Sequence, residues 1–199
     1  MRALRSVTLA LLAVSLVFGT PAWAAKKRPR FLFGFQAGAW KPSALGTEGT
    51  LSPRPLPGTG HLWGVAFSST LSSDLYLLAY VQQWQQYQPD PRSGVSRVRI
   101  VPVGLSFRHQ LSDVSWIAPF ADYGGVLLLG YARDRACAHW HRETGFGASL
   151  GAGVEFFFGR RFLVVARAGF LYAKFPSAVG ETDDYSGPVL SVSAFLAPW

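Results

Sequence analysis

Three sets of side chains in this 199-residue sequence are of the types that do chemistry. The first is Cys137-Ala138-His139-Trp140-His141, where a thiol and two imidazoles in one short stretch could hold a soft or borderline metal. No fourth protein ligand accompanies them, so the stretch reads as an ordinary exposed loop and no metal is expected. Cys137 is the one cysteine of the chain; in an oxidising compartment it is free, mixed with a small thiol, or intermolecular. The second set places an imidazole near hydroxyls, His109 near Ser112 and His61 near Ser68 and Ser69. That is the beginning of an activated nucleophile, but no His-x-Ser pair and no buried acid completes a triad. Neither catalysis nor a cofactor is expected. The third set is Arg108, Asp122, Glu155 and Arg167, charges set among small and apolar residues. Buried charges are very costly unless paired, so a shared network is expected wherever the fold turns them inward.

The elements that must position these groups are legible from a period of two. Over residues 145–158 the even positions Phe146, Ala148, Leu150, Ala152, Val154, Phe156 and Phe158 are apolar, and the odd positions Gly145, Gly147, Ser149, Gly151, Gly153 and Glu155 are small or charged. A helix would scatter both sets around its axis, and so many glycines would weaken it. The same alternation predicts strands over 30–40, 61–71, 75–87, 97–109, 116–132, 145–158, 162–174 and 188–199. Hydrophobic residues make up 49% of the chain and charged residues 15%, with 21 glycines, which excludes a disordered or collagen-like chain. A single domain is expected over residues 25–199. Residues 1–24 carry Arg2 and Arg5, a short apolar stretch, Pro21 and Ala22-Trp23-Ala24, the pattern of a cleaved secretory signal.

The connections alternate in length. Residues 41–60, 88–96, 133–144 and 175–187 are long, whereas 72–74, 110–115 and 159–161 are tight turns. Long loops then fall at one end of the sheet and turns at the other, as in a membrane-spanning antiparallel barrel. The direction of the alternation agrees. One parity carries Phe31, Phe33, Phe35, Val101, Val103, Leu105, Val164 and Phe170, and the other carries Gln36, Gln82, Ser106, Arg108, Asp122, Glu155 and Arg167. The first set suits a lipid face, and the second suits an eight-stranded lumen in which glycines share space with long polar side chains. A soluble barrel would need the reverse. Glu155 and Arg167 are expected to face each other across one hairpin, with Asp122 at a similar height and Arg108 entering from below.

With Ile117-Ala118-Pro119-Phe120 leading into Asp122-Tyr123-Gly124-Gly125, with Gly151-Ala152-Gly153-Val154-Glu155-Phe156, and with an aromatic end at Trp199, the chain resembles the small eight-stranded outer-membrane barrels of the OmpA, OmpX and OmpW type. The resemblance covers residues 25–199. It implies an all-β, antiparallel, up-and-down transmembrane barrel in the bacterial outer membrane, inserted by the barrel-assembly machinery through a terminal signal that includes Phe195 and Trp199. Pro198 departs from that signal and leaves the parity of the last strand open; no peptidoglycan-binding domain is expected after the barrel. Some barrels of this kind modify lipid A, which needs a histidine and serine at the outer-leaflet end. His109 and Ser112 fall instead at a tight turn.

Five basic residues, Lys41, Arg97, Arg99, Arg133 and Lys174, continue the lipid-facing parity where strands enter long loops. Trp63, Tyr87, Tyr131 and Tyr172 share that parity and end, as an interfacial aromatic girdle does. The five are expected to meet lipopolysaccharide phosphates. The expected protein is thus a monomer whose partners are outer-membrane lipids and lipopolysaccharide, not nucleic acid. Its role is structural or interactive, with a plugged lumen; the alternative is a conduit for small hydrophobic molecules.

Overall fold

The computed structural model describes residues 30–42, 60–87, 94–111, 116–136, 139–158, 161–180 and 182–198. The segment expected as a signal, residues 1–24, lies outside the described residues, as do Ser112, Cys137 and Trp199. The described strands are β1 (Phe31–Trp40), β2 (Gly60–Thr70), β3 (Leu75–Tyr87), β4 (Val95–Gln110), β5 (Ile117–Asp134), β6 (Trp140–Phe158), β7 (Phe162–Val179), β8 (Thr182–Asp184) and β9 (Gly187–Leu196). Each of β1 to β7 pairs antiparallel with the next, β9 pairs with β7, and β9 closes on β1 from Phe33↔Leu196 to Trp40↔Val189. The result is a closed eight-stranded barrel, with β8 a short addition to the upper end of β7.

Closure explains the alternation, because every strand then has one face in the lumen and one face outward. The outward side chains are large and apolar on all sides: Phe33 is 56% exposed, Val65 60%, Phe146 68% and Leu190 62%. So much uncovered apolar surface is untenable in water and suits a hydrocarbon surround. The seam settles the last strand, in which Val189, Ser191, Ser193 and Phe195 turn inward and Leu190, Val192 and Leu196 turn outward.

The lumen is more apolar than the alternation implies. Trp40, Leu62, Trp84, Ile100, Leu128, Phe175, Val179 and Tyr185 form a buried cluster toward the loop end, and Leu32, Ala66, Leu78, Phe120, Leu163, Val165 and Phe195 form another toward the turn end. Between them lies a polar layer. At both ends of the barrel large apolar residues therefore occupy both parities, and the period of two is blurred there.

Two expected loops are largely strand. Residues 133–144 read as a loop, yet β5 and β6 stay paired as far as Arg133↔Trp140, and a short connection joins Asp134 to His139. Beyond the apolar band both faces of a hairpin meet water, so Trp140-His141-Arg142-Glu143-Thr144 lose the alternation while keeping the backbone ladder. In 175–187, β7 parts from β6 after Lys174, turns at Gly180 with φ of +77°, and returns through β8. The left-handed φ is one that glycine adopts without steric cost. This segment folds inward: Phe175 and Val179 pack where any side chain at position 130 would stand, and the Tyr185 hydroxyl donates to the Val179 carbonyl. The turn at 72–74 is as expected. Ser72 Oγ donates to Asp74 Oδ1 at 2.9 Å, and this bond with the backbone amide holds the Asp74 carboxyl below the usual carboxylate range.

Candidate functional site

All four expected lumen charges point inward and meet in one layer. Arg108 from β4, Asp122 from β5 and Glu155 from β6 are each no more than 3% exposed. Their pairing differs from the expected one. Arg167 on β7 donates from Nε to both Asp122 oxygens at 2.9 Å and from Nη2 to Oδ1 at 2.7 Å. Glu155 instead accepts from Arg108 Nη1 at 2.9 Å and from Gln110 Nε2, while Arg108 Nη2 reaches Asp122 at 3.4 Å. The reason is local geometry. Arg167 is level with Gly153, and its guanidinium lies across Gly151, whose absent Cβ would stand 2.7 Å from the Arg167 Cζ. The bare backbone at Gly151 thus lets Arg167 pass over β6 to Asp122 on β5, which is itself level with Gly151. Arg108 stacks 4.0 Å over the Phe120 ring, a cation–π contact with the apolar cluster toward the turn end.

Beside the ion pairs lies a polar step. Gln82 Nε2 donates to Gln36 Oε1 at 2.7 Å, and a cavity of about 30 Å³ runs among Gln36, Tyr80, Gln82, Ser149, Arg167 and Ser191. That volume suits a water or two.

The second feature is the outward face at the loop end. All five expected basic residues lie on that face, but unevenly. Arg97 and Arg133 are directly opposite each other on β4 and β5, Arg99 is opposite Tyr131, Lys174 is level with Phe146 on β6, and Lys41 stands apart beyond β1. A sixth cation, Arg142, is opposite Tyr131 from β6 and lies 5.7 Å from its ring. Sequence reading missed Arg142 because the alternation stops at that point in the chain. Arg97 is held in place, with its Cζ 5.0 Å from the Tyr87 ring and its Nη2 donating to Gln85 Oε1.

The remaining candidates do not assemble. His61 points outward and Ser68 inward; Ser69 points outward but stands eight positions along β2, roughly 27 Å at strand rise. His109 stacks on Tyr123 with ring centroids 5.7 Å apart. His141 lies 3.2 Å from Glu143, and among the described residues no three His, Cys, Asp or Glu side chains gather as metal ligands do. Phe195, expected in an assembly signal, is buried in the cluster toward the turn end.

No protein-family model matches the sequence, and no curated protein matches it. Solved structures do match. Neisserial surface protein A is similar over 84% of this chain and 96% of its own, at 12% identity with a TM-score of 0.64. The N-terminal β-barrel domain of OprF from Pseudomonas aeruginosa is similar over 85% of this chain and 99% of its own, at 13% identity and 0.53. Ail, the attachment invasion locus protein of Yersinia pestis, is similar over 85% and 99%, at 11% identity and 0.50. The fold of this chain is that of the small eight-stranded outer-membrane barrels.

Proposed function

We propose that this barrel is an integral outer-membrane protein whose lumen offers no open path and whose outer surfaces do its work. After export and insertion by the barrel-assembly machinery, it would stabilise the lipopolysaccharide leaflet and present its loop-end hairpins outside, as a monomer without catalysis. The observation that carries this reading is the succession of buried side chains that the described residues place along the lumen. An apolar cluster under Phe175, Val179 and Tyr185, the layer of Arg108, Asp122, Glu155 and Arg167, and a second apolar cluster around Phe120 and Phe195 follow one another, with a cavity of only about 30 Å³ among them. Purified protein in planar bilayers is therefore expected to give no single-channel steps. Steady conductance, or uptake of small hydrophobic molecules that depends on the protein, would favour the conduit reading instead.

The loop end faces outside in this reading, because its basic residues Lys41, Arg97, Arg99, Arg133 and Lys174 then stand near lipopolysaccharide phosphates. A charge on the lipid face costs about 2–4 kcal/mol at the midplane and about 0–1 near the interface, so the barrel edge is where such residues are tolerated. Topology is checked in a Cys137→Ser background. Ala136→Cys, exposed at the end of the β5–β6 hairpin, is expected to react with an impermeant thiol reagent on intact cells, and Ser73→Cys is not. Labelling at position 73 alone would invert the assignment.

A further inference from the structure

The loop-end cations do not form a ring. On the outward face of β3 to β6 the register lines up two adjacent rows, Tyr87, Arg97, Arg133 and Trp140 in one and Gln85, Arg99, Tyr131 and Arg142 in the next. Four guanidinium groups therefore share one small area. Arg97 and Arg133 are direct cross-strand neighbours, an arrangement that repels when nothing neutralises it. Among the described residues no carboxylate points outward on β3 to β6, since Asp134 and Glu143 have the opposite parity and Arg142 has none beside it. Two of the four have aromatic neighbours, Arg97 lying against Tyr87 and Arg142 against Tyr131. Arg97 Nε is shielded from solvent and donates to nothing among the described residues.

We propose that Arg97, Arg99, Arg133 and Arg142 form a single phosphate-binding site for a phosphorylated glycolipid of the surrounding leaflet, on the β3–β6 side only. This rests on the membrane reading above and narrows it. The occupant follows from what adjoins the patch. Toward the turn end the same face continues into Val101 and Leu129 and then into Val81, Val103, Leu127 and Phe146, which is a surface for acyl chains. A ligand that lays its chains there brings its headgroup phosphates to the guanidinium rows. Planar guanidinium groups bind phosphate bidentately, and with the aromatic neighbours fixing two of them, less freedom is lost on binding. Lys41 and Lys174, compact charges outside the two rows, contribute little.

The test uses the full barrel in neutral detergent and rough lipopolysaccharide carrying both lipid A phosphates, with the phosphatase-treated form as control. Replacing all four arginines with Gln is expected to weaken binding about 10-fold or more, whereas Lys41→Gln with Lys174→Gln changes it less than about twofold. The wild type should bind the dephosphorylated form as weakly as the quadruple variant binds the intact one. Arg142→Gln alone, together with a heat-modifiability gel for each variant, separates lost binding from lost folding. Equal losses in the lysine pair would restore an even belt and overturn the single site. So would a quadruple variant that folds and keeps its affinity, or one that loses only soluble polyphosphate. If instead the wild type fails to insert into bilayers, the membrane reading itself falls.

Discussion

Replacing Arg108 with Ala is expected to destabilise the barrel by about 3–5 kcal/mol, because it removes the guanidinium that pairs with the buried Glu155 carboxylate at 2.9 Å. The variant also loses the contact with Phe120 and one of the two guanidinium groups around Asp122. Urea unfolding of the folded barrel in lipid vesicles measures the loss. Pairwise coupling is the sharper readout. Arg108→Ala with Glu155→Ala should cost clearly less than the sum of the single changes, as directly bonded partners do, whereas Arg167→Ala with Glu155→Ala, linked only through Asp122 and Arg108, should couple clearly more weakly. Strong coupling of Arg167 to Glu155 and none of Arg108 would return the pairing to the one that simple hairpin alternation suggests.

The second large effect belongs to the loop-end cluster. Trp84→Ala is expected to cost about 3–5 kcal/mol, the usual range for truncating a buried aromatic. Trp84 is fully buried, its Nε1 donates to the Trp40 carbonyl at 3.1 Å, and its ring meets Trp40 at 5.4 Å and Tyr185 edge-on at 6.0 Å. Truncation removes support from the strand ends and from the inward-folded 175–187 segment at once. Trp63→Ala, on the outward face of β2, exchanges one contact with lipid for another and should cost much less. Equal costs for the two would mean that the cluster under Tyr185 is loosely packed.

Residues 145–158 show why so much of the fold was legible. Each strand has one face toward hydrocarbon, and that requirement writes the period of two directly into the chain. The same logic placed Arg97, Arg99, Arg133, Lys41 and Lys174 outward and Arg108, Asp122, Glu155 and Arg167 inward. It gives parity, however, and not reach. That Arg167 crosses β6 to Asp122 depends on the missing side chain at Gly151, which a two-residue period cannot express. Nor does it extend past the hydrocarbon. Arg142 escaped notice where the alternation lapses, and Phe175, Val179 and Tyr185 looked like loop residues because their partners, Trp84 and Gly130, lie far away in sequence.

The closing ladder between β1 and β9 sets the order in which such a chain comes together. Every other ladder of the barrel joins segments that follow one another, so each can form as a hairpin, on a timescale of about 1–10 μs for an isolated pair. The seam alone joins Phe33 to Leu196, and its loop-closure entropy must be met before any of its contacts forms. Until then β1 and β9 are both open edges, each with a row of unpaired amides and carbonyls beside apolar side chains on the two faces. The chain is most prone to associate with its own copies in that interval, when all its hairpins exist and the first strand has not yet met the last.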